Sequence, residues 1–103
     1  METLIELYDE RAIENILGPM VFKPKKVIYL CPDEIASDKE KQNILREFFA
    51  YEGLGCDVEF AACSLYKADT IYRLLKKKGD ENPDCAIDIT GGTDAALFAA
   101  GAY

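Results

Sequence analysis

The chain has 103 residues, half of them hydrophobic and 30% charged, with a formal net charge of −7. That is room for one globular domain, residues 1–103, with one modest core, and it is not the composition of a disordered chain. The acidic balance argues against direct binding of long nucleic acid, which calls for a basic surface, but leaves room for a small anionic ligand in a locally positive pocket.

Thr3, Leu4, Ile5, Glu6 and Leu7 read as a first strand. Asp9 is placed to cap a short helix with Glu10 in its first turn and Ile13, Ile16 and Leu17 on one face. Gly18 and Pro19 form a stop signal for that helix. Residues 27–30, an apolar run ending before Cys31 and Pro32, read as a buried second strand. Ser37 and Glu40 have capping-box spacing. The helix they open carries Ile44, Leu45, Phe48 and Phe49 toward a core and ends at Gly53 and Gly55. Residues 58–62 form a third strand. A helix over about 69–78 follows, with Ile71, Leu74 and Leu75 inward and Gly79 closing it. Residues 86–89 form a fourth strand, and a strongly apolar helix begins near Ala95.

Alternation of this kind predicts an α/β fold: a three-layer, Rossmann-like parallel sheet of about four strands, with helices on both faces. No apolar run approaches the roughly 18 residues of a membrane span, and no leader pattern opens the chain, so a cytoplasmic location is expected. Cys31, Cys56, Cys63 and Cys85 form no Cys-x-x-Cys pair, and histidine is absent. The thiols therefore read as small buried hydrophobes in a reducing compartment, with no metal site and no cofactor. The lysines at 23, 25 and 26 and at 76–78 read as solvated ends of elements. The apolar 95–100 helix must be covered. Either the sequence is the N-terminal piece of a longer protein, or the chain dimerises through that end.

Ligands of open parallel sheets sit beyond the carboxyl ends of the strands, where strand order reverses. With order 3-2-1-4, that point lies between the first and fourth strands. The loops there hold Tyr8, Asp9, Glu10 and Arg11, and Thr90, Gly91, Gly92 and Thr93. Two glycines between a strand and a helix start expose backbone amides to a ligand, and the helix dipole favours an anion there. The competing reading is a tight turn with Thr93 or Asp94 merely capping the helix. Asp94 adds negative charge where an anion would sit. Tyr8 has the chemistry to stack on a base and Arg11 to hold a phosphate, whereas Asp9 and Glu10 are also what any helix start favours. Asp33 and Glu34 could reach a ribose hydroxyl.

The run from Asp88 to Thr93 resembles the signature of CRISPR-associated Rossmann-fold (CARF) domains. Residues 7–17 and 23–27 resemble the amino-terminal region of the Card1-like, or Can-type, branch, in which the domain precedes a PD-(D/E)xK nuclease domain. The resemblance covers nearly the whole chain but only the first four strand–helix units, which implies an incomplete CARF domain. It implies a homodimer that binds cyclic oligoadenylate, often cyclic tetra-adenylate, across its twofold interface and controls an attached nuclease in antiviral defence. Thr90, Gly91, Gly92 and Thr93 would contact the ligand, with Tyr8, Asp9 and Glu10 lining the pocket. Asp94 departs from the basic residue many relatives carry there. No nuclease motif lies in these residues, so no catalytic residue is assigned. Two other readings stay open: a small nucleotide-processing enzyme of the ring-nuclease type, and a ligand-free dimerisation module.

Overall fold

The computed structural model describes residues 2–89 and 93–102. Strands and helices alternate along them: β1 (Thr3–Leu7), α1 (Ala12–Phe22), β2 (Lys26–Cys31), α2 (Asp33–Ala36), α3 (Lys39–Tyr51), β3 (Asp57–Ala62), α4 (Ala68–Glu81), β4 (Cys85–Asp88) and α5 (Asp94–Ala102). The strands form one sheet in the order β3-β2-β1-β4, parallel throughout. The α/β class follows from the alternation seen in sequence, and the order is the 3-2-1-4 arrangement taken there as a condition.

Winding proceeds from β1 to β2 to β3, then reverses so that β4 pairs with the other side of β1. Right-handed crossovers therefore place helices on both faces. On one face, Ile5, Leu7, Ile28 and Leu30 pack with Ile71 and Leu75 of α4 and Ala96 and Ala99 of α5. On the other, Val27, Tyr29 and Phe49 of α3 cluster with Ile16 of α1 and with Leu45 and Phe48 of α3. β1 and β2 are covered on both sides, which is why they read as almost unbroken apolar runs.

Helix α1 departs from expectation. Gly18 and Pro19 do not stop it; both lie inside the helix, buried, and it continues to Phe22, where Lys23 in the left-handed region (φ 48°) ends it. Proline has no N–H for the carbonyl four residues back, here that of Asn15. The Tyr29 hydroxyl donates to that carbonyl instead, at 2.6 Å. Gly18 is needed small: a Cβ there would run into Oε1 of Glu6 and Oδ2 of Asp88. The face of α1 that meets the sheet is therefore Asn15, Gly18 and Pro19. Ile13 and Leu17, expected inward, are 54% and 45% exposed.

Other boundaries shift for similar reasons. Asp9 does not cap α1; Arg11 occupies the N-cap position without a side-chain cap, and Glu10 lies before the helix. Ser37 does not open α3. Its hydroxyl closes α2 by donating to the Asp33 carbonyl, and Asp38 caps α3 by accepting from the Lys41 amide. Ile44 points outward, 60% exposed, because the buried stripe of α3 runs through Gln42 and, two turns on, Phe49. Gly53 has the expected positive φ, 73°, whereas Gly55 does not. Gly79 is buried within α4, which runs on to Glu81; there Asn82 donates through Nδ2 to the Lys78 carbonyl. Lys78 is not merely solvated: with Lys26 it brackets Glu59 of β3, at 2.7 and 3.2 Å. The two cations hold the Glu59 carboxyl below its ordinary value, against the opposing effect of burial.

Candidate functional site

A cleft of about 1000 Å³ opens beyond the carboxyl ends of β1, β2 and β3. Tyr8, Asp9, Glu10 and Arg11 form its β1–α1 wall; Asp33, Glu34 and Ile35 of α2, with Lys41, face them. Residues 63–66 and Thr93 complete the lining. The position agrees with the rule for open sheets. The cleft reaches further over β2 and β3 than a site confined to the β1–β4 switch point, because α2 and the β3–α4 loop also lean into it.

The β1–α1 loop is rigidly tied. Asp9 accepts from the Arg11 amide at 2.8 Å and from its guanidinium at 3.1 Å through both Nε and Nη2. This fork raises the Arg11 guanidinium further above its ordinary value, with Glu14 adding to it. The backbone of Asp9 is gripped at both ends by Asn15, which accepts from its N–H at 2.8 Å and donates to its carbonyl at 2.7 Å. Tyr8 sets its ring edge-on to Tyr29, 6.5 Å between centroids. Burial, then the negative potential of Cys31, Asp38 and Glu10, pushes its phenol above the ordinary value, so it lines the cleft as a neutral hydroxyl.

Opposite, Gln42 of α3 is buried, and its Nε2 donates to the carbonyls of Ile35 and Ala36, 2.8 Å each. This satisfies the Ala36 carbonyl at the end of the short helix α2 and adds to the bond the Ile35 carbonyl accepts from the Asp38 amide. Thr93 precedes α5. Its hydroxyl donates to the Leu65 carbonyl and accepts from the Ala96 amide, at 3.1 Å for the latter. Thr93 is thus the cap of α5 and ties that helix to the β3–α4 loop. Thr90, Gly91 and Gly92, the centre of the expected anion cradle, lie outside the described residues.

The lining holds four carboxylates, Asp9, Glu10, Asp33 and Glu34, against the cations Arg11 and Lys41. Any anion held here must draw on amide dipoles as well as on side-chain charge. Among the described residues no cluster of three or more His, Cys, Asp or Glu could hold a metal ion. The four thiols are free, and burial raises the pKa of each of them. None is thereby activated as a nucleophile.

Beneath the α1 face lies an acid pair the sequence did not reveal. Glu6 is 1% exposed in the middle of β1 and stands directly across from Asp88 of β4. Its Oε1 has no hydrogen-bond partner. Burial, then a hydrogen bond and the charge of Asp88, push its carboxyl up to about 10. Glu6 therefore keeps its proton at neutral pH, in a hydrogen bond with Asp88, two residues before Thr90.

Sequence reasoning brought Tyr8, Asp9, Glu10 and Thr93 to one cleft, together with Arg11, Asp33 and Glu34. It missed Tyr66, which stands 78% exposed at the cleft, and the buried Asn15 and Gln42. For Asn15 the available signal was its place between Ile13 and Ile16, and for Gln42 its helical spacing to Leu45 and Phe49.

No protein-family model matches the chain, and no curated protein does. Among solved structures, it is similar to Can2 from Sulfobacillus thermosulfidooxidans, determined in complex with cyclic tetra-adenylate, with a TM-score of 0.77 and 20% identity. The match covers 97% of this chain and 28% of that one, so the chain spans little more than a quarter of the length of its structural neighbour. Over nearly all of its residues, this chain has the fold of the corresponding part of Can2, a four-stranded parallel sheet flanked by helices.

Proposed function

We propose that this chain is a CARF-type sensor domain whose cleft binds a cyclic oligoadenylate, cyclic tetra-adenylate first among them, at the interface of a homodimer. In this reading ligand binding controls an attached nuclease in CRISPR antiviral defence, and the chain itself is not the catalyst. The observation that carries it is the cleft at the carboxyl edge of the sheet, in a fold shared with a protein solved with that ring bound. Its volume lies at the upper end of ligand pockets, which suits a ligand larger than a mononucleotide.

The chemistry supports a ring of nucleotides. Tyr66 offers an exposed ring on which a base can stack, and Tyr8 a second aromatic edge. Arg11, held by Asp9, presents its guanidinium to a phosphate. Glu10, Asp33 and Glu34 are acceptors for ribose hydroxyls or an exocyclic amine. Thr93 holds the start of α5 in place, and the resemblance assigns Thr90, Gly91 and Gly92, just before it in the sequence, to ligand contact.

Calorimetric titration with cyclic tri-, tetra- and hexa-adenylate, with linear oligoadenylate as control, tests the reading. Saturable binding of one ring size at about one ring per two chains, as a twofold site demands, supports it. Loss of that binding in Gly92→Leu locates it. A folded dimer that binds none of the rings overturns it.

A further inference from the structure

We propose that Asn15 and Gln42 are the positioning residues of the cleft, each a buried carboxamide that fixes one of its two facing walls. The described residues bury only four polar or charged side chains, Thr3, Glu6, Asn15 and Gln42. Two of the four spend their hydrogen bonds on the backbone of cleft walls. Asn15 closes a two-point clamp on Asp9, whose carboxylate in turn orients Arg11. Gln42 bridges the last two carbonyls of α2, from which Asp33 and Glu34 enter the cleft.

Both anchors are themselves held from below. Asn15 sits one helical turn before Pro19, and its own carbonyl accepts from Tyr29 of the sheet. Its position is thus set by the β2 strand rather than by the loop it clamps. Gln42 lies on the same buried stripe of α3 as Phe49. Each wall is therefore referenced to the core, which is how a site keeps its geometry before a ligand arrives. A short loop with four carboxylates nearby would otherwise sample many arrangements, and ordering it would weaken binding.

The consequence for affinity rests on the cyclic oligoadenylate reading; the positioning itself does not. The test therefore has two arms on the same proteins: wild type, Asn15→Ala, Asn15→Asp and Gln42→Ala. Amide hydrogen exchange reads the walls. Asn15→Ala is expected to speed exchange at Asp9 and Arg11 by about tenfold, the scale of two lost hydrogen bonds, beyond any change at Ile5 and Ile28 in the core strands. Gln42→Ala is expected to do the same at Ala36 and Ser37. Asn15→Asp keeps the acceptor for the Asp9 amide but turns a carboxylate oxygen on the Asp9 carbonyl, so it loosens the same amides at least as much as Asn15→Ala, and it serves if the alanine variant does not fold. Titration with cyclic tetra-adenylate reads the consequence, an affinity loss ranked in the same order.

Exchange that is unchanged at the walls, or that rises equally in the core strands, overturns the proposal. So does wild-type affinity in variants whose walls have loosened. If wild type binds no ring while the walls loosen as described, the ligand reading falls and the positioning role stands.

Discussion

The buried acid pair gives the sharpest test of the packing. Glu6 faces Asp88 from β4, the Tyr29 ring from β2 and Gly18 from α1, and none of these brings a positive charge. In the unfolded chain Glu6 loses its proton near 4.5; in the fold it keeps it to about 10. Between those values the native state binds the extra proton, so stability falls as pH rises: the contribution is fully present below 4.5 and is lost up to the folded value. At about 1.4 kcal/mol per pH unit, the penalty accumulated by pH 7 is about 3 kcal/mol. Glu6→Gln keeps the shape and a donor for Asp88 but removes the titration. It should stabilise the protein at pH 7 by about 1–3 kcal/mol, the lower figure allowing for an amide hydrogen left without an acceptor. For a chain of this size that is a rise in Tm of several degrees, about 5 °C per kcal/mol. Urea unfolding of both proteins at pH 4, 7 and 9 measures it, and the gap should close at pH 4 and widen at pH 9. A gap that is absent or independent of pH would refute the assignment of the retained proton to Glu6.

Gly18→Ala inverts the usual helix rule. In an open helix the change gains up to about 1 kcal/mol, but here the methyl meets both carboxyls of the pair, so a loss of about 1–3 kcal/mol is expected. Denaturant midpoints of Gly18→Ala with and without Glu6→Ala check it, since the double variant should recover part of the loss. Tyr29→Phe leaves the Asn15 carbonyl beside Pro19 without its donor and should lower stability by about 1–3 kcal/mol, read by thermal unfolding. Phe49→Ala empties the centre of the α3 cluster and should remove about 3–5 kcal/mol; a smaller loss in urea unfolding would mean that α3 collapses onto the sheet. Lys78→Met should change stability by less than about 1 kcal/mol despite the 2.7 Å contact with Glu59, because Lys26 remains and the pair is partly exposed.

The α/β class and the strands were legible because they follow from alternation and from apolar runs, which are local, whereas part of the helix faces was not, since Ile13, Leu17 and Ile44 turn outward. The helix ends were not legible, and the failures share one cause. Gly18, Pro19 and Gly79 are stop signals only when nothing rewards continuing. Here the missing methyl of Gly18 makes room for Glu6 and Asp88, and the missing N–H of Pro19 is answered by Tyr29, partners from 10 to 70 residues away. Asp9 failed as a cap for the complementary reason, since its carboxylate found a better partner in Arg11. The same argument governs the cleft. Tyr8, Asp9 and Glu10 were legible as lining of the cleft because they follow a strand directly, and strand ends define the open edge of such a sheet. Asn15 and Gln42 act from inside helices, where the sequence shows each only as a polar residue beside other polar ones, Glu14 and Lys41 among them. Their role exists only once β2 and α2 are in place beside them. The cleft residues directly after β1 can thus be read from chain order, whereas those that hold the cleft in shape can be read only from the packing.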